Sequence, residues 1–399
     1  MQIPLKIVLQ PGKDGAIRRF HPWVFSGAIK KIHGNAADGM HAEVFSHHDD
    51  YLGAGIYQDA TIAVRILAFP PSRPERLDEA FWQKKIEKAY QLRKTIGLAE
   101  SEQTNVYRLV HGEGDYLPGL IIDHYNGHLV IQAHATGIHA YIGQIANALK
   151  IVYGNDLKSI TDKSRDTLPD AYWQNKVFDA EIYGKPEKVA VLEYGYKFLI
   201  DIEKGQKTGF FIDQRENRKL LAHYASGKKV LNTFCYSGGF SVYGLHAGAT
   251  EMHSLDSSAK AMELTERNIE LNFGNEPRHR TITQDTMQYL KRTEESYDLI
   301  ILDPPAYAKH THARHNALQG YKRLNLEAIK RIKPGGILFT FSCSQVVDMP
   351  LFRGTVLAAA IEAGRSARIL HQMTQPTDHP VNIFHPEGEY LKGLVLLVE

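Results

Sequence analysis

Apolar and polar positions alternate along this chain in three successive rhythms. Up to about residue 72, short β-forming runs at 6–9, 42–45, 52–57 and 62–67 are separated by Gly, Asn and Asp turns, which predicts a small β domain. Three prolines within 70–74 break that rhythm. Phe81, Trp82, Ile86, Tyr90 and Leu92 then recur at helical spacing across 77–96, and this predicts a helix and a boundary near 73. Further short strands at 120–123 and 129–132, with a helix around 139–152, predict an α+β segment reaching to about 190.

From there the order is strand, turn, helix, repeated. Strand-type runs at 230–234, 252–255, 281–283, 297–302 and 337–341 alternate with helical stretches, which argues an α/β, doubly wound, largely parallel sheet. The last strand, 394–398, is expected to run antiparallel. The division predicted is 1–72, 73–190 and 191–399.

Composition narrows the class. Across 399 residues, 43% are hydrophobic and 23% charged, in the ordinary globular range. There is no apolar stretch of membrane-spanning length and the start lacks a secretory pattern, so a cytoplasmic protein is expected. With two cysteines, Cys235 and Cys343, and no Cys-x-x-Cys, neither a disulfide framework nor a cysteine zinc site is expected. Net charge is only +2, so nucleic-acid contact would rest on local clusters: Lys13, Arg18 and Arg19, Lys30 and Lys31, and the loop holding Lys309, His310, His312 and His315.

Candidate chemistry gathers at the predicted strand ends. Gly238 and Gly239 after the first strand let backbone approach a ligand and open the next helix. Asp256 ends the second strand, where a carboxylate reaches ribose hydroxyls, and Asp285 follows the third, where it can meet an adenine amine. That grip suits NAD or S-adenosylmethionine. The turn Cys235-Tyr-Ser-Gly-Gly-Phe240 does not meet the NAD fingerprint, and no P-loop is present. Asp303-Pro304-Pro305 after the fourth strand holds a carboxylate rigidly and favours S-adenosylmethionine.

Several long motifs, in order, resemble those of class I S-adenosylmethionine-dependent methyltransferases, specifically the bacterial large-subunit ribosomal RNA cytosine-C5 methyltransferases. Arg19-Phe-His-Pro-Trp-Val-Phe-Ser-Gly27 resembles the opening of that family's N-terminal PUA RNA-binding domain. Residues 205–215, 232–240, 302–305 and 340–344 resemble its catalytic-domain motifs. The resemblance covers nearly the whole chain. It implies a middle domain that helps shape an RNA cleft, and a cofactor pocket lined by Gln214, Phe234, Tyr236, Ser237, Gly238 and Gly239 together with Asp256, Asp285 and Asp303. On the substrate side it implies Arg215, Pro304, Pro305, Tyr307 and Lys309. Two departures stand out. Ala306 occupies the place where many RNA cytosine-C5 enzymes carry a second cysteine, and Ser-Cys343-Ser-Gln replaces the Ser-Cys-Asn-Pro of uridine-C5 relatives.

Cytosine C5 needs activation before it can take a methyl group, and a nucleophile added at C6 provides it. Cys343 suits that step, with Asp303 hydrogen-bonding the cytosine amine and N3. Cys235 reads as packing, Tyr307 as a stacking aromatic, and the His310, His312 and His315 loop as a basic grip on phosphate with no metal. The partner expected is RNA, with no membrane and with a homodimer left open. Uridine-C5 methylation, methylation of an exocyclic amine, RNA binding without catalysis and a small-molecule substrate stay open as alternatives.

Overall fold

The computed structural model describes residues 3–399 except 175, 187–188 and 309. The chain forms two compact units. The first contains residues up to Leu192 with Ile200–Ile212 and Thr377–Gly388; the second contains Glu193–Leu199, Asp213–Pro376 and Glu389–Glu399.

The first unit opens with six strands: β1 (Leu5–Leu9), β2 (Trp23–Phe25), β3 (Ile29–His33), β4 (His41–Phe45), β5 (Tyr51–Tyr57) and β6 (Ile62–Ala68), in the order β2-β6-β5-β4-β1-β3. Alternate residues of β1 face inward, so Leu5, Ile7 and Leu9 enter a core with Val24, Val44 and Ile66. A second sheet takes β7 (Val106–His111), β8 (Leu120–Tyr125), β9 (His128–Ala133), β10 (Ser159–Asp162) and β11 (Glu181–Tyr183), in the order β11-β10-β9-β8-β7. The helix expected over 77–96 is Glu79–Thr95, started by the Asp78 carboxylate accepting from Phe81 N at 3.0 Å. It buries Trp82, Ile86 and Ala89 in one core with Leu109 and Leu149. Its Arg93 is fully enclosed, paired with Asp115, and donates to Asp378 O at 2.8 Å. A two-stranded ribbon, β12 (Val189–Glu193) and β13 (Tyr196–Ile200), comes next in the chain, its residues 193–199 counted with the second unit.

The second unit is built on β14 (Lys229–Thr233), β15 (Glu251–Asp256), β16 (His279–Thr283), β17 (Tyr297–Leu302), β18 (Ile332–Ser342), β19 (Ala367–Met373) and β20 (Lys392–Val398), in the order β16-β15-β14-β17-β18-β20-β19. Every pair from β16 to β18 is parallel, and β20 runs antiparallel to both β18 and β19, as its place in the sequence suggested. Helices cover the sheet, so Leu299–Leu302 of β17 is buried on both faces, which explains its unbroken apolar run. Helix starts are fixed locally: Ser258 caps Ala259–Phe273, Asp285 caps Thr286–Arg292 and Asp348 caps Met349–Ala363. The register levels the strand ends. Thr233 stands opposite Leu255 and Leu302, and Leu302 opposite Thr340. The residues following these strands therefore share one edge, where ligands bind in open α/β sheets. Among the described residues, no helix is long and apolar enough to cross a membrane.

Candidate active site at the sheet edge

The turn after β14 is wound tightly. Phe234, Tyr236 and Gly238 all have positive φ, at 54°, 47° and 72°, and for Phe and Tyr that costs roughly 1–2 kcal/mol each. Such strain persists where surrounding structure enforces it, and here the enforcing contacts are visible. Tyr236 N donates to Asp256 Oδ2 at 3.1 Å, Thr265 Oγ1 to Tyr236 O at 3.0 Å, and Asn268 Nδ2 to Ser237 O at 2.8 Å. The glycines are needed for close approach. A Cβ on Gly238 would stand 2.7 Å from Thr265 Cγ2, and one on Gly239 2.9 Å from Arg218 Cδ. Arg218 is buried in a bidentate pair with Glu193, at 2.8 and 2.7 Å, which also accepts from Tyr243 at 3.0 Å.

Asp256 is half-buried. Each of its carboxylate oxygens accepts one backbone N–H, from Tyr236 and from Ser258 at 3.0 Å, so lone pairs remain for hydroxyl donors. Asp285 is exposed and spends Oδ1 on its helix cap, Gln288 N at 2.9 Å. Gln214, almost wholly buried, donates from Nε2 to Asp303 Oδ1 at 2.9 Å and is itself held by Asn217 Nδ2 at 2.6 Å.

Beyond Asp303, Pro304 is buried and Pro305 exposed. Tyr307 is half-buried with its ring 4.6 Å from that of Tyr321, and burial pushes its hydroxyl up to about 12. Cys343 immediately follows β18. It is part-exposed and its Sγ lies 3.9 Å from Pro304 O. The next residue, Ser344, is fixed from three sides: Tyr321 Oη at 3.0 Å and Ala308 N at 3.4 Å reach its Oγ, and Lys392 Nζ donates to its carbonyl at 2.7 Å. Cys235 is buried, 3.7 Å from Thr265 Oγ1, and burial pushes its thiol far up. The edge thus gathers Gln214, the 234–239 turn, Asp256, Asp285, Asp303 and Cys343 within one unit.

Arg215 is fully enclosed, beside Glu216 at 3.5 Å, so its guanidinium does not face solvent. Lys309 lies outside the described residues. His310, His312 and His315 are exposed. Of the basic positions near the start, Arg18 is held by Asp14 and Asp50, each at 2.6 Å. Sequence reasoning passed over Asn217, the Arg218–Glu193 pair and Lys392. A Gln-x-x-Asn spacing at a helix start and a lysine opening an apolar strand were the available signals.

Two clusters of three possible metal ligands occur among the described residues: His21, His385 and Glu387, and Glu251, His253 and Glu295. In the first, Trp23 N donates to His21 Nδ1 at 3.2 Å, which leaves the imidazole proton on Nε2, the nitrogen facing Glu387 at 3.8 Å. A protonated nitrogen cannot ligate. In the second, the Lys229 ammonium already bridges both carboxylates, at 2.9 and 2.7 Å.

Residues 162–384 match the S-adenosylmethionine-dependent methyltransferase family, and residues 7–69 the PUA-like domain. The chain is also similar, over almost its full length, to proteins named ribosomal RNA large subunit methyltransferase I. It is 38% identical to that of Tolumonas auensis over 98% of each chain, and 36% identical to that of Pseudoalteromonas atlantica over 98% of this chain and 99% of the other. To that of Escherichia coli it is 35% identical over 99% of each. Among solved structures, a protein described as an S-adenosylmethionine-dependent methyltransferase from Streptococcus mutans superposes with a TM-score of 0.82 at 23% identity, covering 98% of this chain and 99% of that one. A methyltransferase complexed with S-adenosylhomocysteine gives 0.83 at 23% identity, covering 99% and 100%. These two speak to the fold.

Proposed function

The chain belongs to the S-adenosylmethionine-dependent methyltransferases, among relatives that include ribosomal RNA large subunit methyltransferase I, and from that premise we propose that it forms 5-methylcytidine in large-subunit ribosomal RNA. One observation carries the choice of chemistry: a part-exposed thiol, Cys343, stands beside the Asp303-Pro304-Pro305 turn at the edge where the cofactor-type residues converge.

The residues present fit the cofactor. Asp256 keeps lone pairs for two ribose hydroxyls, Asp285 has its second oxygen for the adenine amine, and the 234–239 turn supplies backbone against the methionine portion. S-adenosylmethionine supplies an electrophilic methyl group. The remaining chemistry is the chain's own. The Cys343 thiolate forms a bond to C6 of the base, and the C5–C6 electron pair moves to C5, which becomes nucleophilic. After C5 is methylated, a base removes the C5 proton, the S–C6 bond breaks, and the ring and the thiolate are restored. Asp303 accepts from the cytosine amine or, protonated, donates to N3, countering the charge that develops on attack. Gln214 fixes the orientation of that carboxyl. A paired cytosine would have to leave its stack to be reached, and Tyr307, two residues after the Pro304-Pro305 pair, is the aromatic proposed to stack on it. Arg215, enclosed beside Gln214, is assigned no step in this scheme. Lys309 is proposed to contact RNA phosphate, and the PUA-like domain to bind RNA.

The test is a trap. RNA containing 5-fluorocytidine should form a covalent adduct with the protein, since fluorine does not leave as the proton does. The adduct should map to Cys343, vanish in Cys343→Ala and persist in Cys235→Ala. An adduct on Cys235, or methyl transfer by Cys343→Ala, would overturn the reading.

A further inference from the structure

β20 opens on a charged residue in an otherwise apolar strand. Lys392 stands opposite Ser342 in the antiparallel ladder and is only 3% exposed. Its Nζ donates to Ser344 O at 2.7 Å and to Tyr390 O at 2.6 Å. Two ammonium protons are therefore held by neutral carbonyls, one of them on the residue adjoining Cys343. No carboxylate among the described residues forms an ion pair with it. A buried ammonium left with neutral acceptors alone is expensive, and burial lowers its pKa to about 8. The ionisable groups around it are Cys343, Glu389 and Asp348. The Tyr321 hydroxyl, 3.0 Å from Ser344 Oγ, holds the same residue through its side chain.

We propose that Lys392 is the positioning residue of the nucleophile: fixed in the ladder beside Ser342 and tied to Ser344, its ammonium stabilises Cys343 as the thiolate. This rests on the reading of Cys343 as the nucleophile. An ordinary thiol is only a few per cent ionised near neutrality, and an adjacent cation raises that fraction. The arrangement also accounts for why a lysine occupies a site that would otherwise favour an apolar side chain. The thiolate supplies an anion next to an ammonium that forms no ion pair among the described residues, and it forms when the reaction needs it.

The test needs neither RNA nor cofactor. Alkylation of the full chain by iodoacetamide is followed against pH, and the peptide carrying Cys343 is read by mass spectrometry, apart from that of Cys235. In Lys392→Met and Lys392→Gln the midpoint of Cys343 alkylation should rise by about one pH unit, leaving roughly tenfold less reaction at pH 7. Gln keeps a donor for one carbonyl without the charge, so it separates charge from tethering, and Lys392→Arg should retain the original midpoint. Reciprocally, the Lys392 titration followed by NMR of its Cε should fall in Cys343→Ala, a variant that leaves Lys392 and its carbonyls in place. A Gln variant that melts normally and alkylates like the parent overturns the proposal. If the Lys392 variants do not fold, a Lys392 titration indifferent to Cys343→Ala does the same. A shifted alkylation profile without a fluorocytidine adduct would sustain this inference while removing the methylation chemistry, so the two fail separately.

Discussion

Cys235 and Cys343 each follow a parallel strand of one sheet, on one edge, and their surroundings are opposite. After β14 the chain turns through three left-handed residues and dives under the helix Ala259–Phe273, where Thr265 and Asn268 tie down Tyr236 and Ser237. The thiol of Cys235 is carried inward with that turn and faces Thr265 Oγ1. After β18, Ser344 is buried and held by Tyr321, Ala308 and Lys392, while the thiol of Cys343 just before it is part-exposed beside Pro304. A place at the edge is therefore not sufficient for chemistry. Burial pushes the Cys235 thiol up, whereas the partner proposed for Cys343 is the buried Lys392 ammonium tied to Ser344.

The largest effect that could break this comparison is on turnover. Cys343→Ala should lower methyl transfer to RNA by on the order of 10³-fold or more, as removal of a covalent nucleophile does, with cofactor binding intact. Cys235→Ala should keep activity within a few-fold and lose about 1 kcal/mol of stability from its small cavity. Labelled methyl incorporation and denaturant unfolding read the two quantities. If Cys235→Ala is the inactive one, the roles are reversed.

Next in size is Asp256→Ala, which tests whether the turn around Cys235 belongs to cofactor binding. Each ribose hydroxyl donating to a charged acceptor is worth about 1.5–3 kcal/mol, so affinity for S-adenosylmethionine should fall tenfold or more by calorimetry. Unchanged affinity in a protein that melts normally would remove Asp256 from the site. Gly238→Ala sharpens the same region through stability. A methyl at φ 72°, 2.7 Å from Thr265 Cγ2, should cost about 1–3 kcal/mol, and wild-type stability in that variant would mean the turn is not clamped as described.

What could be read in the sequence follows from which interactions are local. β17 and the 337–341 part of β18 were legible because parallel strands covered on both faces are apolar runs, and β14 and β15 from the strand-turn-helix order around them, so Asp256, Asp303 and Cys343 came with them. β19 was missed. Five of its seven residues are exposed, so Ala367–Met373 carries no apolar period. The place of 377–388 in the first unit was equally invisible, because it depends on contacts such as Arg93 to Asp378 O, between residues far apart in the chain. Lys392 was visible as a letter only. Its meaning depends on the register that sets it opposite Ser342, and register is a property of the pairing of two strands rather than of either one.

The smallest predicted effect tests the part of the edge that both thiols share. Gln214 holds Asp303 through one hydrogen bond of 2.9 Å, and Asn217 holds Gln214 through another of 2.6 Å. Neither side chain is proposed to touch the reacting atoms, so their contribution is orientation of the carboxyl. Gln214→Ala removes one bond to a carboxylate and leaves the Asn217 amide without that acceptor, worth about 1–2 kcal/mol. Turnover should therefore drop about fivefold to thirtyfold, with S-adenosylmethionine affinity changed less than by Asp256→Ala. Asn217→Ala, which keeps the Gln214–Asp303 bond and loosens only its anchor, should fall between wild type and Gln214→Ala. Single-turnover rates measured beside cofactor affinity separate the two quantities. If Gln214→Ala weakens cofactor binding as much as it slows the reaction, Gln214 contacts the cofactor directly and Asp303 is held by the proline turn alone.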